Sequence, residues 1–143
     1  MIILAVDPGK RAGWACLTDD GLEASGVVDG DDVRMIDEIF TCHAPDVLVV
    51  EDQYFRPRKL KGMKTLFRRR FTWEIIGRLR NIEVEEIAAT AWQGHFRIRR
   101  GDKVGVGQMA RALAGKECAA DEADAVCMAY WYQMTMTRFD IGG

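Results

Sequence analysis

The stretch DVLVV at residues 46–50 has no alternation of apolar and polar residues, and this constrains the fold more than any other part of the sequence. A strand with one face in water alternates, whereas a continuous apolar run is typical of a strand buried on both faces. Such a strand needs helices packed on its sheet. We therefore expect an α/β fold, and 143 residues are enough for one domain with a substantial core, residues 1–143.

The other elements follow from apolar spacing and turn residues. The predicted strands cover residues 2–6, 13–18, 22–28, 46–50 and 82–88. The first predicted helix begins near Asp31 and Asp32, and its apolar face consists of Val33, Ile36, Ile39 and Phe40. The second spans 63–80, and its apolar residues available for packing are Leu66, Phe67, Trp73, Ile76 and Leu79. A short helix capped by Thr90 and two helices at 104–114 and 121–134 follow. The predicted order is β-β-β-α-β-α-β-α-α-α, a mixed sheet flanked by helices.

Charge is distributed unevenly along the chain, although the formal net charge is only −2. Residues 1–55 contain twelve acids and three bases, whereas residues 56–116 contain sixteen bases and five acids. Solvated helix faces usually mix charges of both signs, so this one-sided segment favours an anion-binding surface.

Cysteines and histidines do not form a familiar metal-binding motif. The four cysteines contain no C-x-x-C pair and there are only two histidines, so we expect reduced thiols and no zinc site. No segment resembles a membrane span or a secretory signal, which favours the cytoplasm, and nothing indicates an organic cofactor.

Carboxylates follow two strands that are expected to be neighbours. Asp7 closes the first strand and Glu51 closes the strand at 46–50, so strand pairing at about 4.8 Å would set them side by side. Asp121 and Asp124 are three residues apart and share one face of the last helix. Four carboxylates suit Mg²⁺ or Mn²⁺, and two such ions about 3.5–4 Å apart would serve phosphodiester hydrolysis.

Each acid also has an ordinary structural explanation. An aspartate before Pro-Gly is usually a turn former, a glutamate at a strand end is usually solvated, and Asp121 is also suited to cap a helix. Asp52, next to Glu51, either supports the metal ligands or is simply solvated, and we expect the solvated side chain. The joint placement of Asp7, Glu51, Asp121 and Asp124 on this order of elements favours the metal site.

The order of these motifs resembles the RuvC family of Holliday-junction resolvases, within the RNase H-like superfamily. The motifs are D-P-G after the first strand, Glu at the end of the fourth strand, and D-x-x-D at the start of the last helix. The resemblance covers nearly the whole chain, whose length is closer to the compact versions that viruses carry. It implies an RNase H-like nuclease domain and a homodimeric, Mg²⁺-dependent endonuclease that nicks two opposed strands of a four-way junction. In a virus-encoded protein the compartment would be the host cytoplasm.

Carried over by position, the resemblance makes Asp7, Glu51, Asp121 and Asp124 the metal ligands. It gives Tyr54, with Phe55 beside it, a role in stacking on bases at the crossover, and Lys103 a role in binding phosphate or transition-state charge. Two departures stand out: TAWQGHF offers Gln93 or His95 where the family often has a second lysine, and Glu122 is an added acid that could be a rival ligand.

The basic segment would hold the DNA backbone, with a strong dependence of binding on salt. The cations that we expect to contact DNA are Arg56, Arg58, Lys59, Lys61, Lys64, Arg68, Arg69, Arg97, Arg99, Arg100 and Lys103. The aromatic residues Phe67, Phe71 and Trp73 are expected in the core or at a dimer interface.

Other functions remain open on the sequence alone. An RNase H-like nuclease could act on flaps, replication forks or RNA–DNA hybrids, but no clear reader of a 2′-hydroxyl is visible. A non-catalytic junction-binding protein would not need four carboxylates. A phosphotransferase of the sugar-kinase or actin type would need two large lobes.

Overall fold

The computed structural model describes residues 1–52 and 60–142, apart from the side chains of residues 60–61 and 138–142. Within this part, one five-stranded sheet has the strand order β3-β2-β1-β4-β5. The strands are β1 (Ile3–Asp7), β2 (Arg11–Thr18), β3 (Gly21–Asp29), β4 (Val47–Glu51) and β5 (Glu83–Ile87). β2 is antiparallel to β1 and β3, whereas β1, β4 and β5 are parallel. The prediction of a mixed sheet is confirmed.

The helices also follow the predicted order. They are α1 (Val33–His43), α2 (Leu60–Leu79), α3 (Ala89–His95), α4 (Lys103–Ala114) and α5 (Ala120–Gly142). α1 begins where its acids predicted, because the side chain of Asp32 accepts a hydrogen bond from the backbone N–H of Met35. In the described part of the chain, no helix combines the length and the apolar character that a membrane crossing requires.

Some details of the predicted helices were wrong. Val33 is 54% exposed, because it precedes the turn of α1 whose Ile36 reaches the sheet. Leu79 is 79% exposed at the end of α2. Thr90 does not cap α3: the N-cap is Ala88, which makes no side-chain cap, and Thr90 is the second residue of the helix.

Helices cover both faces of the central strands, which is why β1 and β4 are apolar throughout. On one face, Ile3, Val47 and Val49 pack with residues of α3, α4 and α5. On the other face, Leu4 and Leu48 pack with residues of α1 and α2. Every residue of Val47–Val50 is at most 1% exposed, as the lack of alternation predicted.

Candidate functional site

Two carboxylates meet where β1 and β4 end. The strands are parallel neighbours with Val6 opposite Val50, so the next residue of each strand, Asp7 and Glu51, lies at the same edge of the sheet. The carboxyl ends of parallel strands share one edge, and binding sites of α/β folds lie there. The expected pairing of the two acids is therefore present.

Helix α5 brings the third carboxylate. Its first turn lies directly on β2, because Gly13, the strand partner of Asp7, has no side chain. A Cβ atom at Gly13 would lie 1.7 Å from the backbone oxygen of Asp121, so only glycine permits this contact. One turn further along α5, Asp124 joins Asp7 and Glu51, and one carboxylate oxygen of each lies within 4.8 Å of the others. We call these three residues the acidic cluster.

The acidic cluster has unfavourable electrostatics without a bound cation. Burial raises the pKa of Asp7 well above its usual value, and the neighbouring carboxyl groups of Glu51 and Asp124 raise it further. Burial also raises the pKa of Glu51, and the charge of Asp124 adds to that effect. Charges of the same sign this close must be relieved by a shared proton or by a cation. Three oxygen ligands in this arrangement fit a hard divalent cation such as Mg²⁺.

Two further residues act on Glu51. The indole Nε1–H of Trp92 is buried and has no hydrogen-bond partner of normal geometry among the described residues, but it faces Glu51 closely enough to oppose the effect of burial on its pKa. Lys103, the first residue of α4, also lowers the pKa of Glu51 through its charge. The predicted Lys103 thus lies near the acidic cluster, whereas nothing in the sequence pattern distinguished Trp92 beyond its apolar character.

The two acids in the first turn of α5 lie outside the acidic cluster. The Asp121 carboxylate pairs with the guanidinium of Arg11, with 2.9 Å between Oδ2 and Nε. Glu122 is not a rival ligand in this arrangement: its carboxylate accepts a hydrogen bond of 2.7 Å from the backbone N–H of Ala119 and caps the start of α5. Arg11 follows the D-P-G turn, and the sequence did not connect it with a residue 110 positions away.

A second group of three carboxylates surrounds a buried arginine, and we call it the arginine network. The guanidinium of Arg70, in α2, contacts Asp52, Glu74 and Glu86. The side chain of Arg70 is 8% exposed, and the distance from its Nη1 to Oδ1 of Asp52 is 2.9 Å. The expectation that Asp52 is simply solvated was wrong, because a buried guanidinium needs this carboxylate as a partner.

The predicted DNA-contacting cations fall into three groups. Arg97, Arg99, Arg100 and Lys103 are exposed between the end of α3 and the start of α4, and Lys64 is exposed on α2; none of them forms an ion pair within the described residues. Arg68 and Arg69 both pair with Asp31, and Arg69 does so through two hydrogen bonds, of 3.0 and 3.1 Å. Tyr54, Phe55, Arg56, Arg58 and Lys59 lie outside the described residues, as does the side chain of Lys61.

Comparison with solved structures identifies the fold. The RuvC structure of Thermus thermophilus aligns over 96% of this chain and 98% of its own, with 18% identity and a TM-score of 0.76. T. thermophilus RuvC in complex with a Holliday junction substrate aligns over 94% and 96%, with 17% identity and a TM-score of 0.77. Fowlpox virus resolvase in complex with substrate Holliday junction DNA aligns over 93% and 99%, with 19% identity and a TM-score of 0.60.

These likenesses confirm the RNase H-like fold and the structural resemblance to Holliday-junction resolvases. No protein-family model matches the sequence, and comparison with characterised proteins finds no match. At this level of identity the likeness extends to the fold alone.

Proposed function

We propose that this chain is a divalent-metal-dependent endonuclease that resolves four-way DNA junctions by paired nicking of phosphodiesters. The observation that carries the proposal is the convergence of Asp7, Glu51 and Asp124 at one edge of the sheet. The fold is that of solved resolvases, two of which are in complex with junction DNA. We further propose that residues 1–143 form one nuclease domain that acts in the cytoplasm, or in the host cytoplasm if a virus encodes it.

The acidic cluster would hold Mg²⁺ or Mn²⁺, as two ions per site. Such ions activate a water molecule and stabilise the leaving oxygen of a phosphodiester. Asp7, Glu51 and Asp124 supply the oxygen ligands, while the buried indole of Trp92 limits the directions that the Glu51 carboxylate can take. Our proposal keeps Asp121 as a fourth ligand, which requires its carboxylate to leave Arg11 when metal binds.

Lys103 is the residue that we propose to stabilise the negative charge that develops on the scissile phosphate. It is exposed at the first turn of α4, and its charge already acts on Glu51. A cation aimed at developing charge is worth about 10²–10³ in rate in other enzymes. We therefore expect Lys103→Met to lower kcat by about that factor with little change in junction affinity.

We assign DNA binding to four of the predicted cations that are exposed and form no ion pair among the described residues, Lys64, Arg97, Arg99 and Arg100, together with the predicted Arg56, Arg58, Lys59 and Lys61. Arg68 also contacts DNA in this proposal, because its side chain is 65% exposed. Arg69 is 17% exposed and forms two hydrogen bonds to Asp31, which hold α2 against the segment before α1. Our proposal keeps Arg69 as a DNA contact, which requires its guanidinium to leave Asp31. Tyr54 and Phe55 are the proposed stacking residues at the opened crossover.

Two opposed nicks require two active sites, which we assign to a homodimer formed through α2. Phe67, Phe71, Ile75 and Leu79 recur every four residues along this helix. Phe67 and Phe71 stack on each other with ring centroids 6.1 Å apart, and Ile75 is 56% exposed. We expect Ile75→Glu to convert dimer to monomer in sedimentation velocity, whereas Val33→Glu, at an exposed apolar position on α1, leaves the dimer intact.

The decisive experiment compares cleavage of a four-way junction, a linear duplex, a flap and an RNA–DNA hybrid, with Mg²⁺ and with chelator. We expect Mg²⁺-dependent cutting of the junction, loss of cutting but retained binding in Asp7→Asn, and no effect of Asp20→Asn, which changes an exposed acid of the β2–β3 turn. Equal cutting of flaps or hybrids would replace the resolvase proposal by a broader nuclease. Binding without cutting under all conditions would indicate a non-catalytic junction-binding protein.

A further inference from the structure

A second group of metal-binding side chains lies away from the acidic cluster. Cys16 of β2, Glu23 of β3 and His43, the last residue of α1, each present one ligand atom, and these atoms lie within 4.8 Å of one another. Cys16 pairs with Leu4 of β1, three residues before Asp7, so the group lies about 10 Å from the acidic cluster along that strand. We call Cys16, Glu23 and His43 the thiol cluster, and it is independent of the proposed nuclease function.

An irregularity in the sheet turns Glu23 toward Cys16. Cys16 pairs with Ala24 and Leu17 pairs with Leu22, so Glu23 is an extra residue on β3. A β-bulge of this kind redirects a side chain that would otherwise point to the opposite face. The result is a distance of 3.4 Å between Sγ of Cys16 and Oε2 of Glu23.

The end of α1 brings the imidazole to the same oxygen atom. Ala44 adopts a left-handed conformation with φ of 44° and ends α1 directly after His43. Nδ1 of His43 lies 3.2 Å from Oε2 of Glu23. The indole of Trp14 packs against the imidazole with ring centroids 5.5 Å apart, which limits rotation of the ring.

The protonation state of the thiol explains how the cluster is stable without metal. Cys16 is fully buried, and burial together with Glu23 raises the pKa of its thiol to about 12. The thiol therefore keeps its proton near neutral pH and donates it to the Glu23 carboxylate. A transition-metal ion would displace this proton and bind the thiolate directly.

We propose that Cys16, Glu23 and His43 form a binding site for Zn²⁺ or a similar transition-metal ion, which would tie β2, β3 and α1 together. Ordinary zinc bond lengths at tetrahedral angles separate oxygen from nitrogen by about 3.4 Å and oxygen from sulfur by about 3.6 Å. The observed distances from Oε2 of Glu23, 3.2 Å to Nδ1 of His43 and 3.4 Å to Sγ of Cys16, differ from these values by about 0.2 Å. The side chain of Glu23 is 48% exposed, so water can reach the fourth position.

The donor set decides the class of ion. Thiolate and imidazole are ligands for Zn²⁺ and its neighbours in the transition series, whereas Mg²⁺ takes oxygen ligands. The thiol cluster and the acidic cluster should therefore select different ions. Only the thiol cluster can give a sulfur-to-metal charge-transfer band, which separates the two sites in one experiment.

The test is a titration of the reduced full chain with Co²⁺, followed by addition of Zn²⁺. We expect a thiolate-to-cobalt charge-transfer band that saturates at one Co²⁺ per chain and disappears as Zn²⁺ displaces the cobalt. Cys16→Ser should abolish the band, and His43→Gln, which keeps the thiol, should weaken cobalt binding at least tenfold. Circular dichroism checks that each variant is folded.

The matched control is Cys42→Ser, because Cys42 is exposed and adjacent to His43 but does not belong to the thiol cluster. This variant should bind Co²⁺ as the unmodified chain does. No band in the unmodified chain, a band that survives in folded Cys16→Ser, or one that is lost in Cys42→Ser would each overturn the proposal. If Cys16→Ser does not fold, unchanged cobalt affinity in His43→Gln overturns it instead.

Discussion

The acidic cluster and the arginine network each contain three carboxylates, and two adjacent residues, Glu51 and Asp52, belong one to each. In the arginine network the guanidinium of Arg70 lies among the acids and neutralises part of their charge. No protein cation forms an ion pair with the acidic cluster among the described residues, and the pKa values of Asp7 and Glu51 are raised as a result of burial and mutual repulsion. The three carboxylates of the arginine network therefore stabilise the fold, whereas those of the acidic cluster are available for a metal ion.

The largest expected contrast is in catalysis. Asp124→Asn removes a proposed metal ligand and should lower kcat for junction cleavage at least about 10³-fold, more than the 10–100-fold typical of groups that only support a ligand. Glu86→Gln removes an acid of the arginine network and should change kcat less than about threefold. Single-turnover cleavage at saturating Mg²⁺ measures both, and comparable losses in the two variants would contradict the division of roles.

Stability should show the opposite order. Arg70→Met leaves three carboxylates without their cation and should lower the free energy of unfolding by about 3 kcal/mol, the lower part of the range for buried pairs, because Asp52 and Glu86 remain partly in water. The melting temperature should fall by about 10 °C. The matched control is Arg78→Met, at an exposed position of the same helix, and equal melting temperatures for the two variants would argue against the network.

The metal-free protein should lose stability as pH rises. The pKa of Asp7 is raised well above 3.8 in the folded chain, so the native state holds a proton that the unfolded state has released. The stabilisation that protonated Asp7 contributes to the folded state is fully present below pH 3.8, and it is lost as pH rises through the raised pKa. Asp7→Asn should flatten the dependence of stability on pH and stabilise the metal-free protein at neutral pH, because the variant has no carboxyl group to ionise at this site.

Denaturant unfolding at several pH values, with chelator and with Mg²⁺, measures this effect. Mg²⁺ should restore the stability of the unmodified protein at neutral pH but leave Asp7→Asn nearly unchanged. A profile in which stability rises with pH over this window in the unmodified protein, but not in the variant, would have the wrong sign for the acidic cluster.

The smallest expected effect concerns the pair of Arg11 and Asp121. Both side chains are well exposed, at 70% and 42%, so Arg11→Gln should change the free energy of unfolding by less than about 1 kcal/mol. If Asp121 must leave Arg11 to bind metal, the variant should bind Mg²⁺ a few-fold more tightly in calorimetry. Unchanged or weaker Mg²⁺ binding would remove Asp121 from the proposed ligand set.

Residues close in sequence or at strand ends were the predictable part of the site. The continuous apolar run at Val47–Val50 identified a central strand, and the acids that close β1 and β4 were expected to meet because strand pairing fixes their separation. Helical spacing predicted that Asp121 and Asp124 share one face of α5. Asp124 does lie with the other acids, but Asp121 forms an ion pair with Arg11 instead. Which of the two aspartates joins Asp7 and Glu51 depends on the position of α5 over Gly13, and the spacing of residues within α5 does not reveal that position.

The side-chain partners of long-range pairs were not predictable. Asp52 looked solvated because its partner Arg70 is eighteen residues away in a helix with several arginines, only one of which is buried. The thiol cluster was missed because its three donors are separated by seven and twenty residues and depend on a bulge at Glu23. Motif spacing detects sites within one loop, whereas these sites are assembled from different elements.

Apolar periodicity and strand geometry act locally, and they were enough to predict the order of strands and helices, the two buried faces of the central sheet and the edge where the acids lie. Which acids share that edge without a cation, and which surround Arg70, depends on how α2 and α5 pack on the sheet. An ion pair or a ligand set requires distances of a few ångströms between residues that are far apart in the chain, and local patterns do not specify those distances.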